Sequence, residues 1–362
     1  MSSTVDERAY FARPRVLALI FGTFPLITLP LAAILLFPPS PGWRWVSTVY
    51  LGALGISHFL ITLVIYLSSR NLRYFVATPL NRLIYFGIPA VIFLYFGLAW
   101  LVDTVAHPGL GLLLRVVSIV VPLATYTHLG RQSFGVLQIL KRQAGLKYPV
   151  RSRQLEQTFF FVLPALQAET TFIGEGRFAA HHPLVWITVA VAATLFIAIV
   201  VLAVRARRSK PEAPGAVAVP LGYFLIQTMS QCLSVANMRL YLAGDAVHYA
   251  EYHTIMYPRL MRSPLGTSSV DRAMALIRRS PALFYAVLLG GSAVAVAFFG
   301  DHFGLRTWVD RGPLPFSVVM NMLNGIFLFH FFVEAFIWRF SNPFYRESLT
   351  GLYFPKPAAA AR

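Results

Sequence analysis

Long apolar runs, separated by short polar segments, are the first pattern along this chain. Val16 to Phe37, Val46 to Leu67 and Pro281 to Gly300 are continuous examples, each close to the roughly 20 residues that a helix needs to cross a hydrocarbon core. Runs of this kind predict helices at 16–37, 46–68, 82–102, 110–130, 157–174, 184–204, 219–241, 281–300 and 315–339. The N-terminal stretch shows no Ala-x-Ala site after a short apolar core, so it is read as a first span and not as a signal peptide. The expected fold class is all-α: a polytopic transmembrane helical bundle of about nine or ten membrane helices, forming one integral membrane domain over residues 1–362. Within it, 1–15 is a short N-terminal segment, 205–218 a loop and 340–362 a C-terminal tail.

The distribution of basic residues tests the number of crossings, because short loops rich in Lys and Arg stay on the cytoplasmic side. From a cytoplasmic N-terminus, the loops carrying Arg70, Arg73 and Arg82, Lys141 to Arg153, and Arg205 to Lys210 fall inside. After 219–241 the alternation puts the chain outside, yet Arg259, Arg262, Arg272, Arg278 and Arg279 follow. One crossing is missing from the apolar runs. The segment Asp245 to Met261, DAVHYAEYHTIMYPRLM, supplies it if its polar face turns into the bundle; the competing reading is an interfacial or re-entrant helix. With this tenth helix both termini are cytoplasmic, as expected of a multi-pass protein of a bacterial inner membrane.

Composition agrees with the pattern. The chain is 57% hydrophobic and 12% charged, with a mean hydropathy of +0.64, which excludes an ordinary soluble enzyme. Its 31 Lys and Arg against 14 Asp and Glu give a net charge of +17. Topology accounts for that excess, no nucleic-acid-binding pattern competes with it, and no nucleic-acid partner is expected. The single cysteine, Cys232, rules out disulfides within the chain, iron–sulfur clusters and thiolate zinc sites. Any metal would be held by imidazole and carboxylate.

Ionisable side chains within spans are costly and therefore informative. His58, His128, His248, His253 and His330 all fall at membrane depth, whereas His107, His181, His182 and His302 fall in loops. Glu334 follows His330 by four residues, so the two share a helical face. His248 and Glu251 are three apart and also share a face, while His253 points elsewhere on the same helix. Imidazole with carboxylate and no thiolate suits iron, manganese, copper or zinc. The candidate metal ligands are thus His58, His128, His248, His253, His330 and Glu334. Glu251 is a further ligand or a proton shuttle, and Arg131 and Gln132, at i+3 and i+4 from His128, would orient the ligands. A lone intramembrane histidine is usually an interhelical hydrogen-bonding group, as are amides such as Gln227 and Gln231. Glu169 is read as a ligand, a proton-handling group or the partner of an Arg.

His248-Tyr-Ala-Glu-Tyr-His253 has the His-x4-His spacing of one box of the membrane-bound desaturase and hydroxylase class, which this chain resembles in being polytopic, thiolate-free and histidine-rich. The chain lacks the two His-x2-His-His boxes of that class. It also resembles the carotene-cleaving Brp/Blh membrane proteins, which place single histidines on separate helices around iron, without their Pro-His-Gly-x-x-Asp pattern. The resemblance implies an iron site, mononuclear or dinuclear, in an oxygenase or desaturase. Its expected partners are a lipophilic substrate, O2, an electron-donor protein and the lipid bilayer. Two other readings stay open: a proton- or metal-coupled transporter or channel, and a haem electron carrier with His58 and His128 as axial ligands.

Overall fold

The structure is a computed structural model, and it describes residues 10–36, 50–103, 110–145, 150–175, 178–208, 214–237, 240–299 and 318–354. His107 and His302, residues 1–9, the centre of the 205–218 loop and the end of the tail lie outside the described residues. The described chain is all-helical, with thirteen helices and no strand. In order these are α1 Pro14–Leu36, α2 Gly52–Leu67, α3 Ser69–Val76, α4 over 79–103, α5 Leu110–Gln143, α6 Val150–Phe172, α7 Pro183–Arg208, α8 Pro214–Ala236 and α9 Tyr241–Arg262. Then follow α10 Ser269–Arg279 and α11 Pro281–Ala297, α12 Val318–Ile337 and α13 Pro343–Tyr353.

Each expected span coincides with one of these helices over its described part. Four helices, α1, the 79–96 part of α4, α7 and α8, are long and apolar enough to cross a membrane, and the number rises to six if each bent pair is one span. The bent pairs are α2 with α3, at 82°, and α10 with α11, at 98°. Local chemistry explains both bends. Ser68 takes an extended conformation and its hydroxyl caps α3 through the backbone N–H of Asn71, which stops α2 and starts a new direction. The other bend falls at Ser280, which leaves helical geometry at the end of α10, and Pro281 opens α11; Ser268 and Asp271 form a capping box at the start of α10.

Helices α5, α6, α9 and α12 bring further buried histidines and glutamates, beside His58 on α2. Polarity runs inside out. Leu26 is 76% exposed, Ile187 61% and Val287 65%, whereas His58, Glu156, Glu251, His330 and Glu334 are buried. Apolar surface on this scale belongs against lipid, and costly ionisable groups belong in the interior.

The contacts gather in two compact units, one of Met1–Pro38, Thr125–Glu251 and Tyr353–Arg362, the other of Pro39–Ala124 and Tyr252–Leu352. In the first, a Cβ on Gly130 would lie 3.0 Å from Pro164 Cγ and closer still to the Phe160 carbonyl oxygen, so only glycine lets α5 and α6 meet there. A buried pair of Lys141 and Glu156 joins the same two helices, and Glu156 also accepts from Gln138 at 2.8 Å and Ser152 at 3.1 Å. In the second unit, a Cβ on Gly52 would lie 2.9 Å from Ala293 Cα, so glycine sets the approach of α2 and α11. The segment expected as the tenth crossing is α9, a buried helix of 22 residues. At about 1.5 Å per residue it is as long as a hydrocarbon core is thick.

Candidate metal centre

The second unit holds a buried imidazole pair. Helix α2 is irregular: it widens to π geometry up to Ile56, is α-helical over Ser57–Ile61 and tightens to 3-10 geometry over Thr62–Leu67. Its middle still sets His58 and Thr62 four residues apart on one face. Both grip the imidazole of His330 on α12. His58 Nε2 lies 3.1 Å from His330 Nε2, and Thr62 Oγ1 lies 2.6 Å from His330 Nδ1. The Thr62 hydroxyl lies 2.8 Å from the Tyr252 hydroxyl on α9. Both histidines are fully buried, and Phe59 and Phe331 pack edge-on against His330.

Glu334 stands one turn further along α12, with Oε2 3.9 Å from His330 Nε2. Its other oxygen accepts from Trp338 Nε1 at 3.0 Å. The geometry fits a shared ion. Metal–nitrogen bonds of about 2.0–2.1 Å put two ligands on one ion about 3.0 Å apart at a right angle and about 3.4 Å apart at a tetrahedral angle. With Nδ1 of His330 bonded to Thr62, its Nε2 can present a lone pair, the usual way a neighbouring group sets which nitrogen ligates. The donor set is imidazole and carboxylate in an apolar shell.

His253 is also in this unit, on α9. Its Nε2 lies 3.0 Å from the Ser57 hydroxyl, and its ring meets Tyr285 edge-on at 5.8 Å. The described contacts thus join it to the neighbour of His58, not to His58 or His330 themselves.

The other candidate residues belong to the first unit. His128 on α5 and His248 on α9 are buried and meet edge-on, with ring centres 5.1 Å apart. Beside His248 in sequence, the Glu251 carboxylate is buried and accepts three neutral hydrogen bonds. Gln132 Nε2 donates to Oε1 at 3.1 Å, while Tyr223 Oη at 2.7 Å and Gln227 Nε2 at 2.5 Å donate to Oε2. Ser133 in turn donates to Gln227 Oε1 at 3.0 Å, fixing the amide's orientation. Gln132 therefore orients a carboxylate through a direct bond. Arg131 is exposed on α5, and no described contact ties it to a histidine. Glu169 accepts from Thr188 at 2.6 Å.

Thr62, Ser57, Tyr252, Tyr223 and Trp338 were not among the candidates. Hydroxyl and indole groups at these depths look like packing or interfacial residues in a sequence. Only their helical spacing from a candidate, Thr62 from His58 and Trp338 from Glu334, carried a signal.

Comparison of the chain with protein families, with curated proteins and with solved structures finds no match. Fold and site together define a class: a helical protein with helices long and apolar enough to cross a membrane and buried histidines that could bind a metal ion.

Proposed function

We propose that this protein is a multi-pass membrane oxidoreductase that holds a transition metal, iron in our reading, between His58 and His330, with Glu334 as the adjoining carboxylate. It would act on a lipophilic substrate with O2, as an oxygenase or desaturase. The observation that carries this reading is the 3.1 Å separation of the two buried Nε2 atoms, with a carboxylate 3.9 Å from one of them. A metal bound there would supply Lewis acidity and one-electron chemistry toward O2.

The chain's own residues account for the remainder. Thr62 fixes the His330 tautomer, Trp338 anchors one Glu334 oxygen so that the other faces the imidazole, and Phe59 and Phe331 keep water from the pair. The loop charges favour cytoplasmic termini and make α5, α6, α9 and α12 further crossings, ten in all. A polar helix is tolerated where its polar groups face protein.

A second reading rests on the same distance, since 3.1 Å is also that of an N–H···N hydrogen bond. Tyr252, Thr62, His330 and His58 then form a continuous hydrogen-bonded row suited to proton transfer in a transporter. The haem reading, with His58 and His128 as axial ligands, calls for a Soret band in the optical spectrum of the purified protein. Metal analysis of protein purified without chelator, followed by O2 uptake in the presence of lipid and a reductant, separates the readings. The oxidoreductase reading requires bound transition metal and metal-dependent uptake; a proton relay requires neither.

A further inference from the structure

Two arginines of the second unit face one small cavity. Arg259, near the end of α9, is 8% exposed; it donates to the Ile337 carbonyl at 2.7 Å and lies over the Trp338 ring at 4.3 Å. Its Nε has no hydrogen-bond partner among the described residues. Arg278 on α10 donates to the carbonyls of Leu260 at 2.7 Å and Ser263 at 2.5 Å. Both side chains are thus held in place. The cavity they line is about 30 Å³, with Ser68, Asn71, Ser263 and Ser348 as its other polar walls and no carboxylate among the lining residues.

One water needs roughly 10–15 Å³ on that scale, so the space takes two or three waters or one tetrahedral anion. Asp271, the carboxylate that acts on Arg278, has both oxygens taken by Ser69 and Ser268. Glu334 lies within electrostatic reach of Arg259 but takes hydrogen bonds from Tyr252 and Trp338. A buried guanidinium N–H without an acceptor is costly. Guanidinium groups beside hydroxyls and an amide match the oxygens of a phosphate. The surrounding sequence is the Arg-rich stretch that the charge rule places at the membrane surface, at headgroup level.

We propose that this cavity binds a phosphate group, presented by a free anion or by a phospholipid headgroup. The assignment is independent of any metal at His58 and His330. It is tested on the full chain, by thermal unfolding in detergent against inorganic phosphate, with chloride at equal ionic strength as reference. A parallel series uses vesicles of phosphatidylcholine with and without phosphatidic acid. Saturable stabilisation by inorganic phosphate identifies a free anion as sufficient; stabilisation only by phosphatidic acid identifies the lipid.

Leu265 lines the cavity and is 40% exposed, so Leu265→Glu adds a repelling charge there with little risk to folding. It should weaken the response by about tenfold or more, as should Arg278→Gln if that variant folds. Leu265→Gln and the exposed Arg272→Gln should stay within about twofold of the parent. A parent protein that responds to neither probe holds water only in this cavity and overturns the proposal. So does an Arg272→Gln loss equal to that of Leu265→Glu.

Discussion

The two compact units each bury a polar centre, and the centres solve the same physical problem differently. In the first, a single acceptor-rich group, the Glu251 carboxylate, is surrounded by donors: two amides and a phenol. Donor and acceptor match, and nothing further is needed between them. In the second, two imidazole nitrogens face one another 3.1 Å apart with a carboxylate beside them. Such an arrangement needs a proton or a cation in its midst. Burial alone does not mark a site; a pair of nitrogens that only a shared proton or a cation can bridge does.

This contrast makes predictions that differ between the units. The largest effect is on stability in the first. Glu251→Ala removes the acceptor of two buried donors and a partly buried one, which at about 1–3 kcal/mol per unsatisfied group should cost about 3 kcal/mol or more, read as a fall in the unfolding temperature. Glu251→Gln, which keeps the shape, should cost less. Thr62→Val in the second unit should do the reverse, lowering metal affinity by about 10–100-fold with a stability loss of about 1 kcal/mol, because it removes the group that holds the His330 tautomer. Competition with a graded chelator measures the affinity. If Thr62→Val leaves affinity unchanged, Thr62 does not position His330.

Two smaller effects concern the scaffold. Gly52→Val places side-chain atoms against the backbone of α11 and should cost about 1–3 kcal/mol by overpacking; equal stability would show that α2 shifts freely. Asp271→Ala removes the capping box at the start of α10 and should cost about 1 kcal/mol. A thermal melt of each variant beside the parent gives both values.

Much of this arrangement is legible in the sequence. The apolar runs marked the helices, the charge rule pointed to α9 as a further helix, and the four-residue spacing paired His330 with Glu334. Gln227 reads as a hydrogen-bonding amide, which it is, and Gln132 as a group that orients metal ligands beside His128; the acceptor they share, Glu251, lies about 120 residues from one and 24 from the other, and spacing does not reveal it. The sharp turn after α2 was hidden because an apolar run does not show where a serine will end it. Arg259 counted only as a loop charge, although its side chain is buried. A positive charge near the end of a helix reads as surface unless the aromatic ring beneath it, here Trp338, is known. The pairing of Thr62 with His330 joins residues 268 positions apart, and no periodicity carries that information.

The central claim is that the imidazole pair of the second unit, and not the carboxylate centre of the first, holds a metal. Metal content per chain, determined on chelator-free protein for the parent, His330→Ala and Glu251→Gln, tests it most directly. The account predicts stoichiometric transition metal in the parent and in Glu251→Gln, and its loss in His330→Ala. A parent without metal, or a His330→Ala protein that retains it, contradicts the account.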